Sequence, residues 1–221
     1  MKSSIAALVL VLSGSLSACG SSAPAPSATP TANPDTALLT LAEVREPLAG
    51  FNTVVHHVPD SDQPTLACQG AGLESLGARV MARREFDGSP TNRRLVNLHV
   101  ATAVLDFDSV AKARAAYATV RGWLTKCPAT LKSKHLIRHH DRPRSTTYPN
   151  GVGLFANATA AAPEACTECD TGWSDGQAVA LVDGKRLVLV SLGQIVDLQI
   201  GPGEELAALM ARATARAAAA A

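Results

Sequence analysis

The most reactive residue type in this chain of 221 residues is cysteine, which occurs five times. Cys166 and Cys169 stand three positions apart, the spacing of a redox dithiol and of half a zinc site. Thioredoxin-type dithiols follow a strand and begin a helix, whereas this pair lies among proline and acidic residues that disfavour a thiolate. Cys68 and Cys127 supply no second closely spaced pair, so zinc is also disfavoured. A local structural disulfide is the preferred interpretation, and a thiol oxidoreductase is the alternative.

Cys19 belongs to a different chemistry, because it ends the stretch Leu16-Ser17-Ala18-Cys19 behind the apolar run 5–12. That run is well below the roughly 20 apolar residues that cross a bilayer, and it is typical of a signal peptide, residues 1–18, that is removed. The stretch resembles a lipobox, which implies that Cys19 becomes the first mature residue and carries a diacylglyceryl group. We therefore predict a lipid anchor at Cys19 that holds the protein on the extracytoplasmic face of the cell membrane. The alternative is an ordinary signal peptide that leaves Cys19 as a plain thiol.

The four cysteines that follow Cys19 form an even set, which in an exported protein indicates two disulfides. Three connectivities are open. Pairing Cys166 with Cys169 leaves Cys68 with Cys127, and this second bond closes a loop of about sixty residues. A loop of that length stabilises the folded state by about 4 kcal/mol in the chain-entropy model.

Two histidine pairs, His56-His57 and His139-His140, are the other candidates for metal chemistry. Adjacent residues on a strand point to opposite faces, so neither pair makes a ready chelate and we predict no metal site. The sequence contains no Gly-x-Ser-x-Gly, His-Glu-x-x-His, P-loop or dinucleotide motif. We therefore predict a protein that is not an enzyme and binds no cofactor.

The charge of the chain bears on its partners. It has 20 Lys and Arg against 19 Asp and Glu, and removal of Lys2 with the signal leaves a net charge of zero. Nucleic-acid binding needs many cations that neutralise phosphates, so we predict none. The distribution is uneven, because residues 132–144 hold five Lys or Arg and three His against Asp141 alone. That segment is either a solvated surface or a contact for anionic headgroups or envelope polymers.

A folded domain must hold these residues in position. We predict a single domain that covers residues 38–221. Residues 19–37 precede it with four prolines among Ser, Ala and Thr, a composition that cannot form a core. We predict that they comprise the lipidated Cys19 and an extended tether. Such a tether reaches roughly 50 Å from the bilayer.

The clearest element of the domain is a strand over residues 94–106, in which a valine-rich face alternates with a small and polar face. The valine-rich face indicates a core, and the other face is either solvated or lines a cleft. Asn97 and His99 on that second face are therefore the candidate ligand-binding residues, with ordinary polar strand positions as the alternative. A preceding strand over 80–86 pairs with this one through a turn at 87–90.

Helices and a hairpin complete the predicted fold. Thr40 and Glu43 form a capping box that begins a short helix. A longer helix begins after Asp108 or Ser109 and ends at Pro128, with an apolar stripe that continues to Cys127.

Asp183-Gly184 joins two strands in the strongest hairpin signal of the chain, because it supplies the positive φ values of a type I′ turn. A final helix covers residues 204–218. Antiparallel hairpins combined with helices predict a single α+β domain, an antiparallel sheet packed by helices and braced by disulfides.

Several of these stretches occur together in one known family. They are the strand-to-helix run Val-Leu-Asp-Phe-Asp-Ser-Val-Ala at 104–111, the helix end Trp-Leu-Thr-Lys-Cys-Pro at 123–128, the Asp-Gly hairpin and the Ala-rich final helix. Their order, over most of residues 38–218, resembles the PknH-like extracellular sensor domain of an actinobacterial Ser/Thr kinase and of many free-standing lipoproteins. The resemblance implies an antiparallel sheet with helices, a cleft, disulfide support and a role in sensing or ligand binding. The close spacing of Cys166 and Cys169 departs from the long-range cysteine pairs of that family.

Anchor, tether and domain together predict a cell-surface lipoprotein with a non-catalytic sensing or ligand-binding domain. Its expected ligand is a small molecule, a lipid or an envelope fragment. The alternatives are a scaffold that docks onto a membrane complex and the thiol oxidoreductase that would use Cys166 and Cys169.

Overall fold

The computed structural model describes residues 34–48, 51–56, 64–90, 95–133, 139–140, 144–148, 151–160, 171–197 and 203–220. These segments form one α+β domain, in which an antiparallel sheet carries helices on both faces. The predicted signal, Cys19, most of the tether, Cys166 and Cys169 lie outside the described residues. No helix in the described part of the chain is long and apolar enough to cross a bilayer.

The described segments contain three α-helices, two short 3-10 turns and eight strands. The 3-10 turns are Pro34–Ala37 and Leu73–Leu76. The helices are α1 (Leu41–Arg45), α2 (Val110–Ser133) and α3 (Gly203–Ala219). In chain order, the strands are β1 (Phe51–His56), β2 (Val80–Pro90), β3 (Leu95–Asp106), β4 (His139–His140), β5 (Arg144–Tyr148), β6 (Gly151–Ala160), β7 (Thr171–Val182) and β8 (Arg186–Asp197).

The strands form one sheet in the order β1-β2-β3-β8-β7-β6-β4, and β5 also pairs with β6. All of the pairs are antiparallel. The long strands β3, β8 and β7 are neighbours at the centre of the sheet. They are therefore the strands that helices on either side can cover most completely.

The central strands are buried on both faces, because their alternate residues enter two separate cores. On one side, which we term the α3 face, Val100 and Val190 pack with residues of α3, α1 and the first 3-10 turn. On the other side, the α2 face, Leu105 and Leu189 pack with residues of α2 and with Leu66. Burial on two faces explains the continuous apolar runs at residues 178–182 of β7 and 187–190 of β8.

The prediction that the second face of β3 is open is wrong for Ala101 and Ala103, which are both buried. Ala103 belongs to the core of the α2 face, in one cluster with Leu66 and with Leu124 of α2. The small side chains lie on a face that a second layer covers, and period-two alternation alone does not reveal such a layer. Of the four residues on that predicted face, His99 is exposed.

Two predicted boundaries are also wrong. Residues 87–90 are not a turn but continue β2, where they pair with β1 on one side and, as far as Gly88, with β3 on the other. Pairing with two strands outweighs the local turn preference of Asp, Gly and Pro. Pro128 does not end α2, which continues to Ser133. A proline inside a helix costs about 3 kcal/mol, and the buried side chains of Leu124 and Cys127 in the preceding turn offset that cost.

Two local predictions are confirmed. Thr40 and Glu43 form the capping box, in which the Thr40 N–H donates to Glu43 Oε2 at 2.7 Å and the Glu43 N–H donates to Thr40 Oγ1 at 3.4 Å. Asp183 and Gly184 join β7 to β8 with φ values of 48° and 72°, the left-handed conformation that the Asp-Gly sequence favours.

The final helix is attached to the sheet by a buried arginine. Arg186 on β8 donates from Nη2 to Asp106 Oδ2 on β3 at 2.9 Å, and its Nη1 donates to the Ala217 carbonyl near the end of α3. A cation is favourable at a helix C-terminus because the last carbonyl groups have no partner within the helix. Arg186 therefore joins two strands and α3 in a single contact.

Candidate ligand-binding site

The disulfide between Cys68 and Cys127 joins α2 to the segment that precedes β2. Both cysteines are buried, and their Cα atoms are 5.2 Å apart, a normal separation for a disulfide. Cys127 lies on the buried side of α2, as its position on the apolar stripe predicts. The pairing of Cys68 with Cys127 is one of those left open by the sequence and is now established, whereas Cys166 and Cys169 lie outside the described residues.

Gln177 on β7 supports this disulfide and was not recognised in the sequence. Its side chain is only 1% exposed, and Oε1 accepts a hydrogen bond from the Cys68 N–H at 3.1 Å. Its Nε2 lies 3.8 Å from Cys127 Sγ, within range of a weak hydrogen bond to sulfur. A glutamine at the start of the apolar run 178–182 is the only signal in the sequence, and it does not indicate which partners the amide has.

Gln177 ends a row of cross-strand neighbours on the α2 face. From β2 to β7 the row contains Glu85, Ala101, Ser191 and Gln177, each paired with the next across the sheet. All four residues are buried, with Glu85 at 4% and Ser191 at 5% exposure. The row therefore contains three buried polar side chains. Leu189 and Leu105, on the same face of the sheet, belong to the apolar core of that face.

His99 lies at the exposed end of this polar region, and it pairs directly with Asp87 in the register of β2 and β3. His99 Nδ1 is 2.7 Å from Asp87 Oδ1, while its Nε2 lies 3.8 Å from Glu85 Oε2. Arg83 in turn donates from Nη2 to Glu85 Oε1, so that the buried carboxylate has a cationic partner. The His99 side chain is 46% exposed and Asp87 is exposed beside it.

This arrangement can hold a polar group by hydrogen bonds. Asp87 orients the imidazole of His99, and the exposed carboxylate of Asp87 can accept hydrogen bonds from hydroxyl or amine donors. Among the described contacts, none joins His99 to a serine, threonine or cysteine that could act as a nucleophile. Within the same segments, no group of three or more His, Cys, Asp and Glu side chains is arranged to hold a metal ion.

The structure describes the side chain of only one of the two predicted ligand-binding residues. His99 is exposed and lies in the polar region just described. The backbone of Asn97 lies in β3 opposite Ile195, next to a register shift between Leu95 and Asn97, and its side chain lies outside the described part of the structure. The side chains of the histidine pairs at 56–57 and 139–140 also lie outside it.

The sheet order, the two helical layers and the buried disulfide define a class of α+β domain with an antiparallel sheet covered on both faces. The extracellular domain of PknH from Mycobacterium tuberculosis has a similar fold, with a TM-score of 0.50 and 16% sequence identity over 83% of this chain and 93% of that one. The predicted resemblance is thereby confirmed for the fold.

The comparison with solved structures also matches LpqN, a protein involved in cell envelope biogenesis of Mycobacterium tuberculosis. Its TM-score is 0.33, with 11% identity over 72% of this chain and 86% of that one. No known family matches the chain by sequence. No curated protein matches it either.

Proposed function

We propose that this chain is a lipid-anchored protein of the cell envelope whose α+β domain binds a ligand outside the membrane and does not catalyse a reaction. The observation that carries this proposal is the buried Cys68–Cys127 disulfide, because disulfides form and persist in oxidising, extracytoplasmic compartments. The fold adds support, since the similar PknH domain is extracellular.

The anchor follows from the first residues of the chain. Leu16-Ser17-Ala18-Cys19 matches a lipobox, and Cys19 precedes a proline-rich stretch that leads to the folded domain. Two or three acyl chains at about 0.8 kcal/mol per buried CH₂ hold a protein on a membrane far better than a single chain.

The ligand site we propose is the exposed end of the polar region around His99. Asp87 and His99 offer hydrogen-bonding groups to solvent, and the buried partners Glu85 and Arg83 hold the surrounding sheet in place. This chemistry suits a small molecule, a lipid headgroup or an envelope fragment that carries hydroxyl or amine groups. The cleft that the family resemblance implies stays a prediction.

Membrane fractionation tests the anchor. We expect the wild-type protein to be recovered with the membranes of its own cells and the Cys19→Ala variant to be released from them. Ser17→Ala is the matched control, because it keeps a small residue in the lipobox and should leave the protein with the membranes. Membrane retention of Cys19→Ala equal to that of the wild type would contradict the proposed anchor.

Native mass spectrometry of protein purified from its own envelope tests ligand binding. We expect a bound species that is lost from the His99→Ala and Asp87→Asn variants and retained by Lys185→Ala, which changes an exposed residue of the β7–β8 turn. Absence of any bound species, together with no thermal stabilisation by envelope lipids, would contradict a ligand-binding domain.

A further inference from the structure

We infer that the outer face of α2 is a docking surface for the anionic lipid headgroups of the membrane that holds the chain. This inference rests on the lipid anchor proposed above, and it adds a second contact between the protein and the bilayer. The docking surface comprises the exposed side of α2 from Ala111 to Ala129.

The composition of α2 is the first observation. The helix has five Lys or Arg residues and no Asp or Glu over its 24 residues. Four of these cations have exposed side chains and span about 21 Å along the helix at a rise of 1.5 Å per residue. They are Lys112, Arg114, Arg121 and Lys126.

The positions of the cations around the helix are the second observation. Val120 and Leu124 face the sheet, and a ridge of small exposed residues runs along the opposite side. At 3.6 residues per turn, Arg114 and Arg121 flank one edge of this ridge, while the two lysines flank the other. A flat ridge lets the helix approach a surface closely, and long cationic side chains on both edges can reach headgroups. The ridge residues are Ala111, Ala115, Ala118, Thr125 and Ala129.

One described acidic residue lies at the start of the docking surface. Asp108, just before α2, accepts a hydrogen bond from Lys112 Nζ at 2.8 Å and lies 3.8 Å from Arg79 Nε. This ion pair neutralises part of the charge at the start of the helix. Arg114 and Arg121 add exposed positive charge farther along the helix.

The charge of the mature chain is also unevenly distributed along its sequence. Residues 109–144 contain nine Lys or Arg against Asp141 alone, which leaves ten Lys or Arg against eighteen Asp and Glu in the remainder of the mature chain. An anionic surface therefore attracts the stretch of chain that contains α2 more strongly than it attracts the remainder of the chain. Each basic residue close to an anionic leaflet strengthens binding about fivefold, and the effect falls off within a Debye length.

The predicted tether favours lipid over other polyanions as the occupant. The described domain begins at Pro34, and the first 3-10 turn packs on the α3 face, opposite α2. Layers about 10 Å apart make the domain roughly 30 Å thick, and the predicted tether reaches roughly 50 Å. It is therefore long enough for the α2 side to reach the bilayer. An anchored domain meets the headgroups at a high effective concentration, so that weak electrostatic docking suffices.

Vesicle flotation of the mature chain, residues 19–221 with Cys19→Ala, tests the inference without any contribution from acyl chains or from the signal peptide. Vesicles consist of phosphatidylcholine alone or of phosphatidylcholine with one third phosphatidylglycerol. We expect at least about tenfold tighter binding to the anionic vesicles, and we expect that difference to disappear near 1 M salt, where the Debye length is about 3 Å. The variant R114E/R121E should lose at least about tenfold in affinity for the anionic vesicles, and R114Q/R121Q should lose less.

The matched control is R45E/R212E, which makes the same change of charge in α1 and α3, on the face of the sheet opposite α2. Its binding should stay within about threefold of the parent, and thermal melting should show that all variants are folded. Equal binding of the parent to both kinds of vesicle, or unchanged binding of R114E/R121E, would overturn the inference. Retention of the parent on a heparin column without binding to anionic vesicles would also overturn it and would indicate a polyanion instead of lipid. Because no acyl chain is present, these results are independent of whether Cys19 is lipidated in cells.

Discussion

At the scale of single residues, the polar side chains on the α2 face fall into two groups. Gln177 and Glu85 are buried and bonded to named partners, the Cys68 N–H and Arg83 respectively. His99 and Asp87 are exposed and bonded to each other. The buried group maintains the structure, because an unsatisfied buried polar atom costs about 1–3 kcal/mol. The exposed pair is the ligand site that we propose.

Gln177→Leu tests the structural role of the buried amide. The change keeps a similar volume but leaves the Cys68 N–H without its acceptor. We expect the free energy of unfolding to fall by about 1–3 kcal/mol in urea titrations. Thr119→Ala on the exposed side of α2 is the control and should change it by less than about 0.5 kcal/mol. An equal effect of both substitutions would contradict the assignment.

Glu43 predicts how the contact between α1 and α3 depends on pH. Partial burial alone would raise the pKa of Glu43, but hydrogen bonds from Thr40 and the nearby Arg216 outweigh it and hold the pKa below its ordinary value. Arg216 Nη1 lies 3.1 Å from Glu43 Oε1. The ionised form is therefore favoured by folding, and its contribution to stability is complete above the ordinary pKa of about 4.3. That contribution is lost as the pH falls through the lowered pKa of the folded state.

Urea unfolding of wild type and Glu43→Gln from neutral to acidic pH measures this contribution. The wild type should be the more stable protein near pH 7, and the difference should shrink once the pH falls below about 4.3. Thr119→Ala, which changes an exposed side chain that has no ionisable group, should show no such pH-dependent difference. A difference between wild type and Glu43→Gln that is constant across the range would contradict the ionic origin of the effect.

At the scale of elements, the sequence correctly predicted the features that depend on contacts between neighbouring residues. The capping box at Thr40 and the turn at Asp183-Gly184 depend on neighbouring residues, and both are observed. The extension of β2 through Pro90 and of α2 past Pro128 depends on pairing and packing with distant parts of the chain, and neither was predicted.

The candidate site was predicted only in part, for the same reason. His99 could be recognised from strand alternation, but its partner Asp87 was assigned to a turn. Gln177 and Ser191 become neighbours of this region only when β7 and β8 join the sheet beside β3. No pattern within a single strand specifies that order of strands.

The glycines at 122 and 77 provide a test of helix α2 and of the second 3-10 turn. A Cβ atom added at Gly122 meets no other atom within 4 Å, so Gly122→Ala should raise the free energy of unfolding by about 0.5–1 kcal/mol. Gly77 has a φ of 71°, a left-handed conformation that strains alanine. Gly77→Ala should therefore lower the free energy of unfolding by about 1 kcal/mol. Urea titration measures both values, and a stabilising Gly77→Ala would contradict the turn geometry.

The disulfide between Cys68 and Cys127 is the principal covalent link between elements of the described domain. It closes a loop with a sequence separation of 59, so we expect C68S/C127S to lose about 2–5 kcal/mol of unfolding free energy. C166S/C169S is the matched control and should lose less, because the disulfide predicted there closes a much shorter loop. Equal melting temperatures of wild type and C68S/C127S under non-reducing conditions would contradict a stabilising role.

At the scale of the whole molecule, three features favour the same location. The lipobox stretch ends in Cys19, the described domain contains a buried disulfide, and the positive charge of the chain is concentrated in residues 109–144. The first two are typical of a protein anchored outside the membrane. The third favours the contact that we propose between α2 and an anionic surface.

The measurement that tests this account most directly is the intact mass of the protein purified from the membranes of its own cells, followed by mapping of its terminal and cysteine-containing peptides. We predict a mature chain that begins at Cys19, carries a diacylglyceryl group on that residue, and contains a Cys68–Cys127 cross-linked peptide. An unmodified Cys19, a mature chain that begins elsewhere, or reduced Cys68 and Cys127 would contradict the account of an anchored extracytoplasmic domain.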